Sequence, residues 1–258
     1  MFTTTKLINP SAADLYPAPF SAKRLLSKII DKSITLTQLA TTGLLLLLAP
    51  SVLAAEYEAG VHYEELPIAV PQAEEGQLEV VEMFSYMCVH CFNFDAPVSV
   101  WAERQPDDVA FRREPAIFNK SWELLAQAFY TAEALGVSDK THDPMFEAIH
   151  TLNQDLRDPA KMAALFKQFA GVDEADFMQA YKSFSVRSKV QQANTRGRQY
   201  RVSAVPTLIV AGKYKVDGRM AGSNTGMLKV ATYLLEKERM ARSAVSYTHL
   251  TLPTIYSV

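Results

Sequence analysis

Cysteine is the scarcest reactive residue in this chain: 258 residues carry two, Cys88 and Cys91. So small a supply excludes a disulfide-stapled scaffold, which needs several bridges. Glycine is sparse at 10 residues, and no glycine-rich phosphate-binding loop occurs. Neither sign of charge prevails, with 26 basic against 28 acidic residues and a net charge of -2. No basic run follows the leader, so nucleic acid is not an expected partner. Internal repeats and low-complexity tracts are also missing. Composition beyond this says only soluble and globular.

One apolar run stands out, from about Leu39 to Pro50, containing Leu44-Leu45-Leu46-Leu47-Leu48. Lys23, Arg24, Lys28 and Lys32 precede it, and Ser51-Val52-Leu53-Ala54-Ala55 follows. Basic, then apolar, then small is the order of a secretory signal. Cleavage is expected between Ala54 and Ala55, with Val52 and Ala54 as the small-residue pair. The alternative is a membrane anchor, but the run falls short of the roughly 20 residues needed to span a bilayer. Residues before Lys23 add nothing that a signal requires, which raises the question of a misassigned start at Met1. At the other end, the run after Arg242 is almost uncharged and lacks helical period, and it reads as translated adapter sequence. The folded protein is therefore expected over about 55–242, with 1–54 a signal peptide and 243–258 a non-native tail.

Export changes the reading of the cysteines, because disulfides persist in oxidising compartments. Glu79-Val80-Val81-Glu82-Met83-Phe84 predicts a buried strand, and Cys88-Val89-His90-Cys91 follows it. The next apolar residues predict a helix from Cys88, bent near Pro97, and Val109–Arg113 a second strand. Helical patterns follow: one opening at Ser121 as cap and ending near Gly136, then Met145–His150, Pro159–Phe169, Glu174–Phe184 and Val186–Tyr200. Thr207–Val210 and Tyr214–Val216 predict a hairpin around Ala211-Gly212-Lys213. A helix over Met227–Arg242 closes the chain. The order is that of an α/β thioredoxin fold with an inserted helical domain, 55–118 and 199–242 enclosing 119–198.

A CxxC after a strand is the pattern of a thioredoxin-like redox site. Thiol–disulfide exchange needs one thiolate to attack and a second thiol to resolve the mixed disulfide. At a helix N-terminus, unpaired amides and the helix dipole favour a thiolate, which assigns Cys88 as nucleophile. Cys91, one turn on, is the buried resolving thiol. His90 can stabilise the Cys88 thiolate by hydrogen bond or charge, making the disulfide a stronger oxidant; otherwise it is a polar residue at a helix start. Two other readings compete. A structural disulfide would close too short a loop to stabilise much. A zinc site needs more ligands than two thiolates, and His62, His142 and His150 lack ligand spacing.

Phe84-Ser85-Tyr86-Met87-Cys88-Val89-His90-Cys91, together with Val205-Pro206-Thr207, resembles the DsbA family of periplasmic thiol:disulfide interchange proteins. The resemblance covers 56–242, the position and length of the insertion included. It implies a strongly acidified nucleophilic cysteine and an oxidising couple. It further implies that Val205-Pro206 is a cis-proline loop lying against the disulfide and pairing with an incoming peptide; a trans proline is the default for a lone Val-Pro. Glu82 matches the family's buried acid, which assists proton transfer at Cys91. Arg113 falls near a basic position and either partners Glu82 or is an exposed strand-end residue. Relatives commonly carry proline where this chain has Val89.

The implied activity is a periplasmic oxidase that donates the Cys88–Cys91 disulfide to reduced, unfolded exported proteins. A membrane quinone-linked partner of the DsbB type would reoxidise it. Met87, Val89 and the Val205-Pro206 loop would form a tolerant peptide groove. No metal or organic cofactor is implied beyond the redox-active disulfide. The rivals are a disulfide isomerase or reductase and a peptide-binding chaperone with an incidental CxxC. Related isomerases carry a separate N-terminal dimerisation domain, for which too little chain lies between Ala55 and the first strand. A monomer is expected.

Overall fold

Strand β2 (Leu78–Phe84) is buried along its whole length, and both of its neighbours explain why. It pairs in parallel with β3 (Val109–Pro115) and antiparallel with β4 (Thr207–Val210). β4 turns into β5 (Tyr214–Asp217), and the short β1 (Glu64–Glu65) lies antiparallel on β5. The sheet order is β1-β5-β4-β2-β3. This computed structural model describes residues 57–72 and 76–249. The signal expected over 1–54, its cleavage site and residues 250–258 lie outside them.

Side chains alternate across a strand, and the two faces of β2 bury different cores. Leu78 and Val80 pack with Phe94 and Val98 of α1 (Val89–Glu103) and with Val230 and Leu234 of α7 (Asn224–His249). Val81 and Met83 pack on the opposite face with Ile209 and Tyr200. Glu82 shares the α1 face with Val80 and Phe84. Two carboxylates in one buried strand would each cost several kcal/mol unpaired. Each is met by an arginine of β3: Arg112 at Glu79, 2.6 Å, and Arg113 at Glu82, 3.1 Å.

Between β3 and β4 run five helices: α2 (Lys120–Leu135), α3 (Ser138–His150), α4 (Pro159–Ala170), α5 (Glu174–Tyr181) and α6 (Phe184–Gln199). Their apolar faces share a core with Phe84, Tyr86 and Cys91, so the helical block packs directly on the end of β2 that leads into the CxxC. Glu114, fully buried on β3, also takes Arg196 of α6.

Several boundaries differ from the sequence expectation. The cap of α2 is Asn119, whose Oδ1 accepts from the Trp122 amide at 3.1 Å, rather than Ser121. α3 starts at Ser138, two turns before Met145, because Thr141, Met145 and Ala148 form one buried face. Ser183 ends the run expected through Phe184: its Oγ accepts from the Val186 amide at 3.2 Å and starts α6 there. The last helix begins at Asn224 and continues past Arg242 to His249. Pro97 lies inside α1, which continues to Glu103.

Candidate active site

Ser85 builds the turn that presents the first cysteine. Its carbonyl accepts from the Cys88 amide at 3.0 Å, and its Oγ from the Met87 amide at 3.2 Å. Cys88 is the N-cap of α1, in extended conformation at φ -96° and ψ 112°, and no side-chain hydrogen bond caps the helix. Its sulfur therefore sits at the helix start, where the Val89 and His90 amides have no partner within the helix. Cys91, Phe94 and Val98 form the buried stripe of α1, which takes Cys91 fully inside while Cys88 stays half-buried. Both are free thiols in this structure.

The two thiols titrate apart. The Cys91 thiol donates to the Cys88 sulfur and, against some loss of hydration, holds Cys88 down to about 6; the amides of Cys91 and His90 and the His90 charge add to this. Burial pushes Cys91 far up, and the neighbouring Cys88 sulfur adds to the effect. His90 is exposed and acts through its amide and its charge; among the described contacts its ring makes no hydrogen bond to Cys88. Val89 and Met87 are exposed apolar neighbours, 49% and 38% accessible.

The Val205–Pro206 peptide is cis. Its Val205 carbonyl lies 3.4 Å from Cys88 Sγ, accepting from the thiol. Thr207 then enters β4 opposite Met83, so the loop is carried to the thiol by the strand next to β2.

Glu82 is 1% exposed, and burial raises its carboxyl to about 7 although the Arg113 charge and hydrogen bond pull it down. Arg113 is the cross-strand neighbour of Glu82, which settles the choice left open for it: it is paired rather than free. Its Nη2 donates to Asp95 Oδ1 at 2.8 Å and Ser99 Oγ at 2.7 Å. Glu82 is within electrostatic reach of both cysteines.

Sequence reasoning missed Asp95 and Ser99, and it gave Tyr86 and His142 no role at the site. Asp95 and Ser99 follow Cys91 at successive intervals of four, one stripe of a helix, and that spacing was a usable signal. Burial alone would raise Asp95, but the His142 hydrogen bond and the Arg113 charge outweigh it and hold the carboxyl below its usual range. His150 Nε2 contacts the Tyr86 carbonyl at 2.8 Å, and its ring stacks on Phe92 at 5.2 Å. Tyr86 and His142 carried no signal in the sequence, being 56 residues apart. Among the described residues no group of His, Cys, Asp and Glu could hold a metal ion.

Residues 79–229 match the DSBA-like thioredoxin domain. The chain is 42% identical over 194 residues to the thiol:disulfide interchange protein DsbA of Azotobacter vinelandii, covering 75% of this chain and 90% of that protein. It is 42% identical over 188 residues to DsbA of Pseudomonas aeruginosa, covering 73% and 89%. The crystal structure of Pseudomonas aeruginosa DsbA superposes with a TM-score of 0.70 at 40% identity, over 74% of this chain and 98% of that one. With an acidified thiol at a helix start, a buried partner thiol one turn on and a thioredoxin sheet beneath them, the chain belongs to the DsbA family of thiol–disulfide oxidoreductases.

Proposed function

We propose that this protein works in the periplasm as a dithiol oxidase, passing a Cys88–Cys91 disulfide to reduced exported proteins through a mixed disulfide at Cys88. The observation that carries the reading is the placement of the two thiols, Cys88 half-buried at the start of α1 and Cys91 fully buried one turn on, which holds Cys88 near 6 and pushes Cys91 far up. A thiol held as thiolate at neutral pH is a good leaving group and a stable product, which favours the reduced enzyme and makes the disulfide oxidising.

In the oxidised protein, a substrate thiolate attacks the accessible Cys88 sulfur. The Cys88–Cys91 bond breaks, and Cys91 leaves as a thiolate that takes a proton, with protonated Glu82 as donor. A second substrate thiolate then attacks the substrate sulfur of the mixed disulfide. The substrate disulfide forms and Cys88 departs as thiolate, so two electrons have passed to the enzyme. A membrane quinone-linked partner of the DsbB type takes them away. The Val205 carbonyl beside Cys88 offers an acceptor to an extended peptide, and Met87 and Val89 offer apolar contact. His90 lowers the Cys88 thiol through charge and amide.

Glutathione mixtures of defined ratio test the oxidase reading. A disulfide that is reduced even by mildly reducing mixtures, with the dithiol form more stable to urea, supports it. A disulfide that resists reduction defeats it. With reduced, unfolded ribonuclease as substrate, Cys91→Ser and Cys88→Ser should both lose activity, each lacking the Cys88–Cys91 disulfide. With scrambled, oxidised ribonuclease, the Cys88 thiolate of Cys91→Ser should attack a substrate disulfide, release a substrate thiolate and accumulate as a mixed disulfide. Equal refolding by wild type and Cys88→Ser would instead mark a chaperone.

A further inference from the structure

Two histidines of α3 grip Tyr86, and only one of them reaches the redox site. Tyr86 hydroxyl lies 2.9 Å from His142 Nδ1, and His142 Nε2 lies 3.0 Å from Asp95 Oδ1. That same oxygen accepts from Arg113 Nη2 at 2.8 Å, and Arg113 Nε donates to Glu82 Oε2 at 3.1 Å. The line of contacts thus starts two residues before Cys88, crosses into the helical block and returns to the carboxylate among the thiols.

We propose that His142 is a positioning residue for the redox site: through Asp95 it holds the Arg113 guanidinium against Glu82, and so sets the pH at which Glu82 gives and takes the Cys91 proton. The inference deepens the oxidase reading and rests on Glu82 being the proton partner of Cys91.

Packing alone does not account for an imidazole here. The His142 ring lies edge-on to Phe84 and Phe146, with centroids 5.5 and 5.2 Å away, a place that phenylalanine would fill. What phenylalanine lacks is the pair of ring nitrogens, and both are engaged. Burial keeps the Tyr86 phenol protonated, so it can donate to Nδ1. A tautomer with its proton on Nε2 then donates to Asp95 and satisfies both contacts.

A cleft of about 650 Å³ runs past Tyr86, Ser99, Arg113 and His142. Without the His142 donor, the Asp95 carboxylate is held by Arg113 alone and can draw the guanidinium, which lines this cleft, away from Glu82. The charged or titratable groups around Glu82 are Arg113 of β3 and Asp95, Cys88 and Cys91 of α1. Those around His142 and Tyr86 are Asp95, Arg113, Asp143 of the same helix and Glu133 of α2; Asp139 and Lys189 also line the cleft. At Glu82 the Arg113 contact is direct and outweighs Asp95, so withdrawal of the pair raises the carboxyl.

Carbon-13 NMR of the Glu82 carboxyl in the reduced full chain tests this. The wild-type midpoint is expected near 7. His142→Phe should displace it upward by about one unit, and His142→Gln, which keeps a donor toward Asp95, by clearly less. An unchanged midpoint in folded His142→Phe overturns the proposal, as does a displacement by glutamine equal to that by phenylalanine. Should His142→Phe not fold, His142→Leu replaces it: it also removes the donor to Asp95 and leaves every charge around Glu82 in place, so the same upward displacement is expected and an unchanged midpoint overturns the proposal. The titration is read without any substrate. Wild type that fails to oxidise unfolded ribonuclease therefore defeats the oxidase reading, while the carboxyl titration still decides the role of His142.

Discussion

The Cys91 thiol donates its hydrogen bond to the Cys88 sulfur, and this contact is the largest influence holding Cys88 near 6. The buried cysteine thus prepares its partner before any exchange begins. Helix amides and the His90 charge add to the effect, but neither replaces the thiol donor. Cys91→Ala should raise the Cys88 midpoint by about one unit, read from thiolate absorbance at about 240 nm, because a hydrogen bond to the charged form is lost. Cys91→Ser, which keeps a donor, should raise it less. An unmoved midpoint in Cys91→Ala would assign the acidification to the helix amides and the His90 charge.

The same depression links pH to stability in the reduced protein. The Cys88 thiol falls from an ordinary value of 9.0 to about 6 in the folded state. Its contribution is complete above 9 and is lost as pH falls through 6. Urea unfolding of the dithiol form should therefore show a stability gain from pH 6 toward 9 that Cys88→Ser does not show.

How much of this site could be read from residues follows from how rare each one is. Two cysteines in 258 residues, placed after an apolar strand, leave few chemistries open, and Val205-Pro206 stood out once the strand after it was recognised. Glu82 was conspicuous as a carboxylate in an apolar run. Arg113 was ambiguous because its partner depends on register: a shift of one residue would put it on the other face of the sheet. Asp95 and His142 are ordinary surface residue types, joined at 3.0 Å across 47 residues. That meeting depends on how the helical block docks, a tertiary event with no local signature. The helix boundaries missed at Ser121 and Phe184 were cap decisions, each resting on one side-chain oxygen rather than on periodicity.

Glu82 is stabilised in its neutral form, and removing its charge should make the protein more robust. Burial lifts it from 4.5 to about 7, so the folded state holds this proton more tightly than the unfolded chain. The resulting stability is present in full below 4.5 and lost as pH rises through 7. Above that, ionised Glu82 costs about 3 kcal/mol at most, from the size of the shift. Glu82→Gln keeps the shape and leaves Arg113 to Asp95 and Ser99. Urea unfolding at pH 8 should show the variant more stable by about 1–3 kcal/mol, with the difference shrinking toward pH 4.5. Its Cys91 step should slow. A variant less stable than wild type at pH 8 would mean that the Arg113 ion pair outweighs the burial of the carboxylate.

Val89 occupies the first helical position, where the resemblance drawn from the sequence leads one to expect proline. The backbone there is ready for one. Cys88 is extended at φ -96° and ψ 112°, which suits the residue before a proline, and a first-turn amide has no partner within its helix. The amides that reach the Cys88 sulfur belong to His90 and Cys91, so a proline at 89 removes neither. Val89→Pro should therefore stabilise the protein by about 0.4–1 kcal/mol, by restricting the unfolded chain, and leave the Cys88 midpoint near 6. Thermal unfolding and thiolate absorbance measured on one preparation check both parts. A Cys88 midpoint displaced by a full unit would show that the valine shapes the turn that presents the thiol, and that the dipeptide tunes this couple through backbone geometry as well as through His90.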